Sequence, residues 1–206
     1  MKRRELLTGS LSAVAGGPLM ARAFAGTQEP APCAPCAPAP FPAVASPGAK
    51  LRIKPIMTNM IHSGVWEGPC RFNVVTVEKE KENVARGYAN WQKVLRSGEH
   101  TFGAGAEVME PSLVTFNEDF TIPAAAFAEL DRDARSADAF FIAPQGSSNA
   151  AFDLVHRFRK PGILFGINCR TVDVAAYAKT QGDEMLVVED NEELRSTIDL
   201  LRARKI

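Results

Sequence analysis

The sequence predicts an α/β domain built on a doubly wound, mostly parallel, five-stranded flavodoxin-like sheet flanked by helices. Three observations point there. Over residues 51–206, short apolar runs of strand length alternate five times with segments of helical period. Two of those runs, AFFIA at 139–143 and GILFGI at 162–167, are apolar throughout, as central parallel strands covered on both faces are. Polar residues gather directly after the first and third strands, where open α/β sheets bind their ligands.

Residues 1–25 place Lys2, Arg3 and Arg4 before a mildly apolar run from Leu6 to Met20, which ends at the small-x-small site Ala23, Phe24, Ala25. This is the pattern of a twin-arginine export signal, and it predicts a periplasmic or otherwise exported protein. Gly9, Gly16, Gly17 and Pro18 would weaken a core helix here. The run is too short and too glycine-rich to span a membrane, and no later segment approaches about 18 uninterrupted apolar residues, so the processed chain is not expected to be an integral membrane protein. Processing removes four basic residues and one acidic one, which leaves a slight acidic excess without a basic cluster. That balance argues against nucleic acid and anionic membrane surfaces as partners and favours a small polar ligand. Twin-arginine export moves folded chains and so permits a cofactor without assigning one. Fold analogy alone suggests flavin.

Residues 26–50 carry seven prolines and no apolar periodicity, so they read as an extended Pro/Ala-rich linker. Cys33 and Cys36 lie in it with proline close on either side. A redox Cys-x-x-Cys needs a helix N-terminus, and four-ligand zinc needs a second pair, so incidental or locally bridged cysteines are expected.

In the globular part, residues 51–72 start as a buried strand. From Gly64 to Pro69 the glycines and proline exclude regular structure. Residues 77–97 form an amphipathic helix with Val84, Tyr88, Trp91 and Leu95 on one stripe, closed by Gly98; its charge run 78–82 reads as a solvated first turn. A second strand is expected at 106–110, then an irregular polar turn through Pro111 to Asp119. Pro123 opens a second helix that buries Phe127, Leu130 and Ala134. The third strand, 139–143, runs into Pro144, Gln145, Gly146, Ser147, Ser148 and Asn149, and Ser148 or Asn149 is expected to cap a helix burying Phe152, Val155 and Phe158. A fourth strand at 162–167, a short helix at 171–180 and a fifth strand at 185–188 follow. Asp190 and Glu193 form a capping box for a last helix with Leu194, Ile198 and Leu201 inward.

With strand order 2-1-3-4-5, the loops after strands one and three flank the switch point. The candidate ligand-binding residues are therefore Asn59, His62, Trp66 and Glu67 from the first loop, and Gln145, Ser147, Ser148 and Asn149 from the third. His62, Glu67 and Cys70 are also the candidates for catalysis, as a general base, a carboxylate and a nucleophile, but spacing supplies no third group to orient His62. His62, Glu67, Cys70 and Cys169 have metal-ligand chemistry without metal-ligand spacing, so no metal is expected. Cys70 and Cys169 both follow strands at the same edge of the sheet, where an exported protein could bridge them. Trp66 could stack on a sugar ring or fold back onto the core. The glycine-rich phosphate signature is absent.

The order LRIKPIM, long polar loop, amphipathic helix, AFFIAPQG resembles the N-terminal α/β domain of L-fucose and L-arabinose isomerase-like proteins over roughly residues 50–206. The resemblance implies a sugar-recognising domain. It also implies that the metal-binding acidic residues and histidine of those isomerases belong to a later domain with no counterpart here, so none of their catalytic residues carries over.

Overall fold

A computed structural model of the chain describes residues 48–67 and 74–205, with the backbone alone for Trp66, Glu67, Val74 and Val75. The segment 1–25 expected to be an export signal, nearly all of the expected linker with Cys33 and Cys36, and Cys70 lie outside the described residues. β1 (Leu51–Met60) is the axis of a six-stranded sheet. On one side it pairs with β4 (Ala106–Val108) and β5 (Ser112–Phe116); on the other the order runs through β6 (Ala139–Pro144), β7 (Gly162–Phe165) and β8 (Met185–Val188). Every pairing in this sheet is parallel. The helices are α1 (Val77–Ser97), α2 (Ala124–Ser136), α3 (Asn149–Phe158), α4 (Cys169–Thr180) and α5 (Asn191–Arg204). The doubly wound α/β architecture is therefore present, with six strands where the sequence suggested five.

The extra strand is a correction with a clear cause. Val108 lies opposite Ile53, but Ser112 lies opposite Ile56, so the outer strand carries one more residue than β1 over this stretch. That is a β-bulge at residues 109–111, and it divides one long edge strand into β4 and β5. It sits beside Pro55, a residue that a central strand rarely accepts. The Ile53 carbonyl accepts from the Met109 N–H, whereas the Arg52 and Thr58 carbonyls accept from Asp138 and Gln145. Odd positions of β1 thus present their backbone to β4 and β5, and the N–H that Pro55 lacks would have faced the bulge. Lys54 serves the same spot. It is 1% exposed, and its Nζ donates to the bulge carbonyl of Glu110 at 2.6 Å and to Asp133 Oδ2 of α2 at 2.6 Å. The 112–116 stretch looked like turn because Pro111, Ser112 and Thr115 mask the buried Val114 and Phe116.

A second correction concerns the loop after β1. It contains a short antiparallel pair, β2 (Trp66–Glu67) with β3 (Val74–Val75), where glycine and proline had excluded regular structure. The predicted helices otherwise hold, with small shifts at their ends. Thr76 caps α1 and Gly98 closes it with φ 79°, a left-handed conformation that suits glycine. Pro123 is the cap of α2 instead of its first residue. Ser148 caps α3 without a side-chain bond, and the hydroxyl that accepts from the Asn149 N–H belongs to Ser147. The helix after β7 starts at Cys169, because Asn168 and Thr171 form a capping box. At α5, Asp190 accepts from the Glu192 and Glu193 N–H groups, while Glu193 reaches back to the Glu189 N–H.

Two cores follow from strand alternation. On one face Ile56, Phe140, Ile142 and Leu164 pack under α2, α3 and α4; on the other Ile53, Phe141, Ile163 and Val188 pack under α5 and the end of α1. Neighbouring Phe140 and Phe141 each contribute roughly 2 kcal/mol by leaving water on opposite sides. At Gly162 an added Cβ would stand 2.6 Å from Val155 Cγ2, so α3 reaches its depth only over a residue with no side chain. Among the described residues, no helix is long and apolar enough to cross a membrane.

Candidate functional site

The carboxyl ends of β1 and β6 meet at the switch point, and a groove of about 530 Å³ opens there toward α1. β1 contributes Met57 and Asn59, and the β6–α3 junction contributes Gln145, held by its N–H to the Thr58 carbonyl at 2.9 Å. One face of α1 supplies the rest. Glu80, Val84, Gly87 and Trp91 recur at helical spacing, with Asn83 beside them. A Cβ at Gly87 would meet no atom within 4 Å, so the missing side chain leaves room in the groove. The Asn59 and Gln145 amides make no hydrogen bond to any described residue, and each offers both donors and an acceptor.

His62 stands just beyond β1. Its backbone N–H donates to Glu80 Oε2 at 2.6 Å, and its Nδ1 lies 2.7 Å from Glu80 Oε1. The two side chains are only 12% and 15% exposed. The orienting group that spacing could not supply is therefore Glu80, from the charge run that read as merely solvated. Nearby, Ser63 donates from both its N–H and its hydroxyl to Glu118, and these bonds hold the Glu118 carboxyl below the usual carboxylate range.

The structure divides the predicted residues. Asn59, Gln145 and His62's partner Glu80 share the groove, whereas Ser148 and Asn149 line a separate cavity over α3 and α4. Ser147 and Ser148 also border a smaller cleft with Asn168, Cys169 and Arg170. Gly146, with φ 82°, makes the separation. Its Cα carries the loop across the sheet end with Met60 and Phe116 at ordinary contact, 3.5 Å from where a Cβ would stand. Trp66 and Glu67 lie in β2, described by backbone alone. Cys169 is a free, exposed thiol. Among the described residues no three His, Cys, Asp or Glu side chains group as metal ligands.

Sequence reasoning missed Glu80, Asn83, Gly87 and Trp91 as site residues. Trp91 was placed on the buried stripe, where it does pack partly against the core. The available signal was the polar and glycine positions that continue the same helical face toward the start of α1. Comparison with known protein families, with curated proteins and with solved structures finds no match to this chain.

Proposed function

We propose that this chain is an exported domain that binds a small carbohydrate in the groove between β1, β6 and α1. The observation that carries the reading is the convergence of Asn59, Asn83 and Gln145 with the Glu80 carboxylate and the Trp91 ring on one opening at the switch point. Sugar hydroxyls both donate and accept, so amides suit them, and the apolar face of a sugar ring packs against an aromatic one. The resemblance of the element order to that of the N-terminal domain of sugar isomerase-like proteins is in keeping with the same ligand class, and the pattern of residues 1–25 is in keeping with export.

Calorimetric titration of the processed protein with a panel of neutral mono- and disaccharides is the test. Binding by at least one sugar is expected, and Gly87→Leu, which fills the groove from an exposed position, should abolish it. A folded protein that binds no sugar would end the proposal. N-terminal sequencing of the secreted chain should begin at Gly26; an unprocessed Met1 would remove the export signal from the reading.

The His62–Glu80 pair favours a second reading, an enzyme in which His62 moves a proton on the bound ligand while Glu80 orients the imidazole. Incubating each sugar that binds in deuterated water, with NMR detection of exchange at carbon, tests it. Exchange that disappears in His62→Gln supports the enzyme, and no exchange with any ligand sinks it.

A further inference from the structure

On the opposite face of the sheet from the groove, the cavity over α3 and α4 has a volume of about 680 Å³, within the range of small-molecule sites. Phe120, Phe152 and Tyr177 supply rings to its walls. Phe152 meets Tyr177 edge-on with centroids 4.9 Å apart and stacks on His156 at 5.2 Å, so its orientation is fixed from both sides. Phe120 and Tyr177 remain 43% and 53% exposed, so both rings are open to a molecule entering the cavity.

The charged groups are the more telling feature. Asp153, half-buried, forms no hydrogen bond or ion pair with any described residue, and neither does the guanidinium of Arg170. Other part-buried carboxylates among the described residues are engaged: Asp133 by Lys54, Asp138 by the Arg52 N–H and Lys205, Asp183 by His156 and Arg159. Burial lifts the Asp153 carboxyl above its ordinary range, with the nearby His156 pulling the other way. An ammonium brought to it would repair that deficit.

We infer that this cavity binds a small zwitterion with an apolar body, of the free amino acid class. Its ammonium pairs with Asp153, its carboxylate with Arg170, and its side chain lies against Phe120, Phe152 and Tyr177. A guanidinium fork matches a carboxylate, and an ammonium is attracted both by a carboxylate and by aromatic faces. This site is independent of the carbohydrate groove, since the two share no lining residue.

The test is calorimetry on the full chain with L-phenylalanine, L-leucine, phenethylamine and 3-phenylpropanoate. The amino acids should bind, and each half-ligand lacking one charge should bind at least about tenfold more weakly. Arg170→Gln should reduce L-phenylalanine to the level of phenethylamine and leave phenethylamine unchanged. Asp153→Asn should reduce it to the level of 3-phenylpropanoate. Circular dichroism of both variants establishes that they are folded, and neither removes a core side chain. Variants that hold L-phenylalanine as tightly as the parent overturn the proposal, as does a parent protein that binds neither amino acid. Phenethylamine binding as tightly as L-phenylalanine also overturns it, because Arg170 would then have no role.

Discussion

At the amino ends of the strands charge is matched, while at the carboxyl ends several polar groups have no hydrogen-bonding partner among the described residues. At the amino end, Lys54 meets Asp133, Arg52 meets Glu107 and the Ser136 carbonyl, Lys205 meets Asp138, and Arg204 pairs with Glu184. Asp183, 2% exposed at its side chain, accepts from His156 Nδ1 at 2.6 Å and from Arg159 at 2.7 Å. At the carboxyl end His62 with Glu80 and Ser63 with Glu118 are paired, but Asn59, Gln145, Asp153 and Arg170 have no hydrogen-bonding side-chain partner among the described residues. Both ends belong to one sheet and carry the same residue chemistry. The amino end uses polar groups to fasten elements, and the carboxyl end leaves several of them open, which is where both proposed ligand sites lie.

The largest effect should come from breaking the deepest pair at the amino end. Asp133→Ala leaves Lys54 buried without its counter-ion and is expected to cost about 3 kcal/mol in urea unfolding. Lys54→Met should cost less, because Asp133 is 30% exposed and can regain water. If the two cost the same, the buried position of Lys54 is not what makes the pair matter. Asp183→Asn comes next, at about 1–2 kcal/mol near neutral pH, because His156 and Arg159 are themselves well exposed.

Acid sharpens the same contrast. The hydrogen bond from Lys54 holds the Asp133 carboxyl below the usual range against the opposing pull of burial. For Asp183 burial acts upward, and the bonds from His156 and Arg159 outweigh it. Both groups titrate lower in the folded chain than in the unfolded one. Their contribution is complete above about pH 4 and is lost as pH falls through the folded values. Stability measured from pH 5 down to pH 2 should therefore fall less steeply in Asp183→Asn than in the parent, and equal slopes would rule out Asp183 as an acid trigger.

The fold was legible where period and composition agree. AFFIA and GILFGI announced central strands, the Val84, Trp91 and Leu95 stripe announced α1, and Asp190 announced α5. It was not legible at residues 109–116, because a bulge is a relation between two strands. Only the register against β1, with Pro55 opposite, shows that an extra residue is present. The site was half legible for the same reason. Asn59 and Gln145 sit at junctions that topology assigns to the switch point, whereas Glu80, Asn83 and Trp91 join them only through the approach of α1. The division of Ser148 and Asn149 from Gln145 depends on the backbone of Gly146, which composition cannot convey.

Glu80 stands between the two regimes, since it is a fastening group at the ligand end. Glu80→Gln keeps the shape, loses the charge facing His62, and weakens a favourable placement in the first turn of α1. A cost of about 1 kcal/mol is expected. A cost near 3 kcal/mol would make Glu80 a structural anchor like Asp133 and would weaken its place in the groove.

The smallest effect on stability is expected from Asn59→Ala combined with Gln145→Ala, within about 0.5 kcal/mol of the parent. Neither amide has a hydrogen-bonding partner among the described residues, so the folded chain has little to forfeit when both are removed. A groove that binds sugar hydroxyls through those amides should nevertheless lose about tenfold or more in affinity for its ligand. Unfolding curves and calorimetry on the same double variant therefore separate the two roles. Large destabilisation would mean that these amides fasten the switch point as the charged pairs fasten the amino end, and the contrast between the ends would fail. Unchanged stability with unchanged sugar binding would leave the contrast standing and move the ligand away from Asn59 and Gln145.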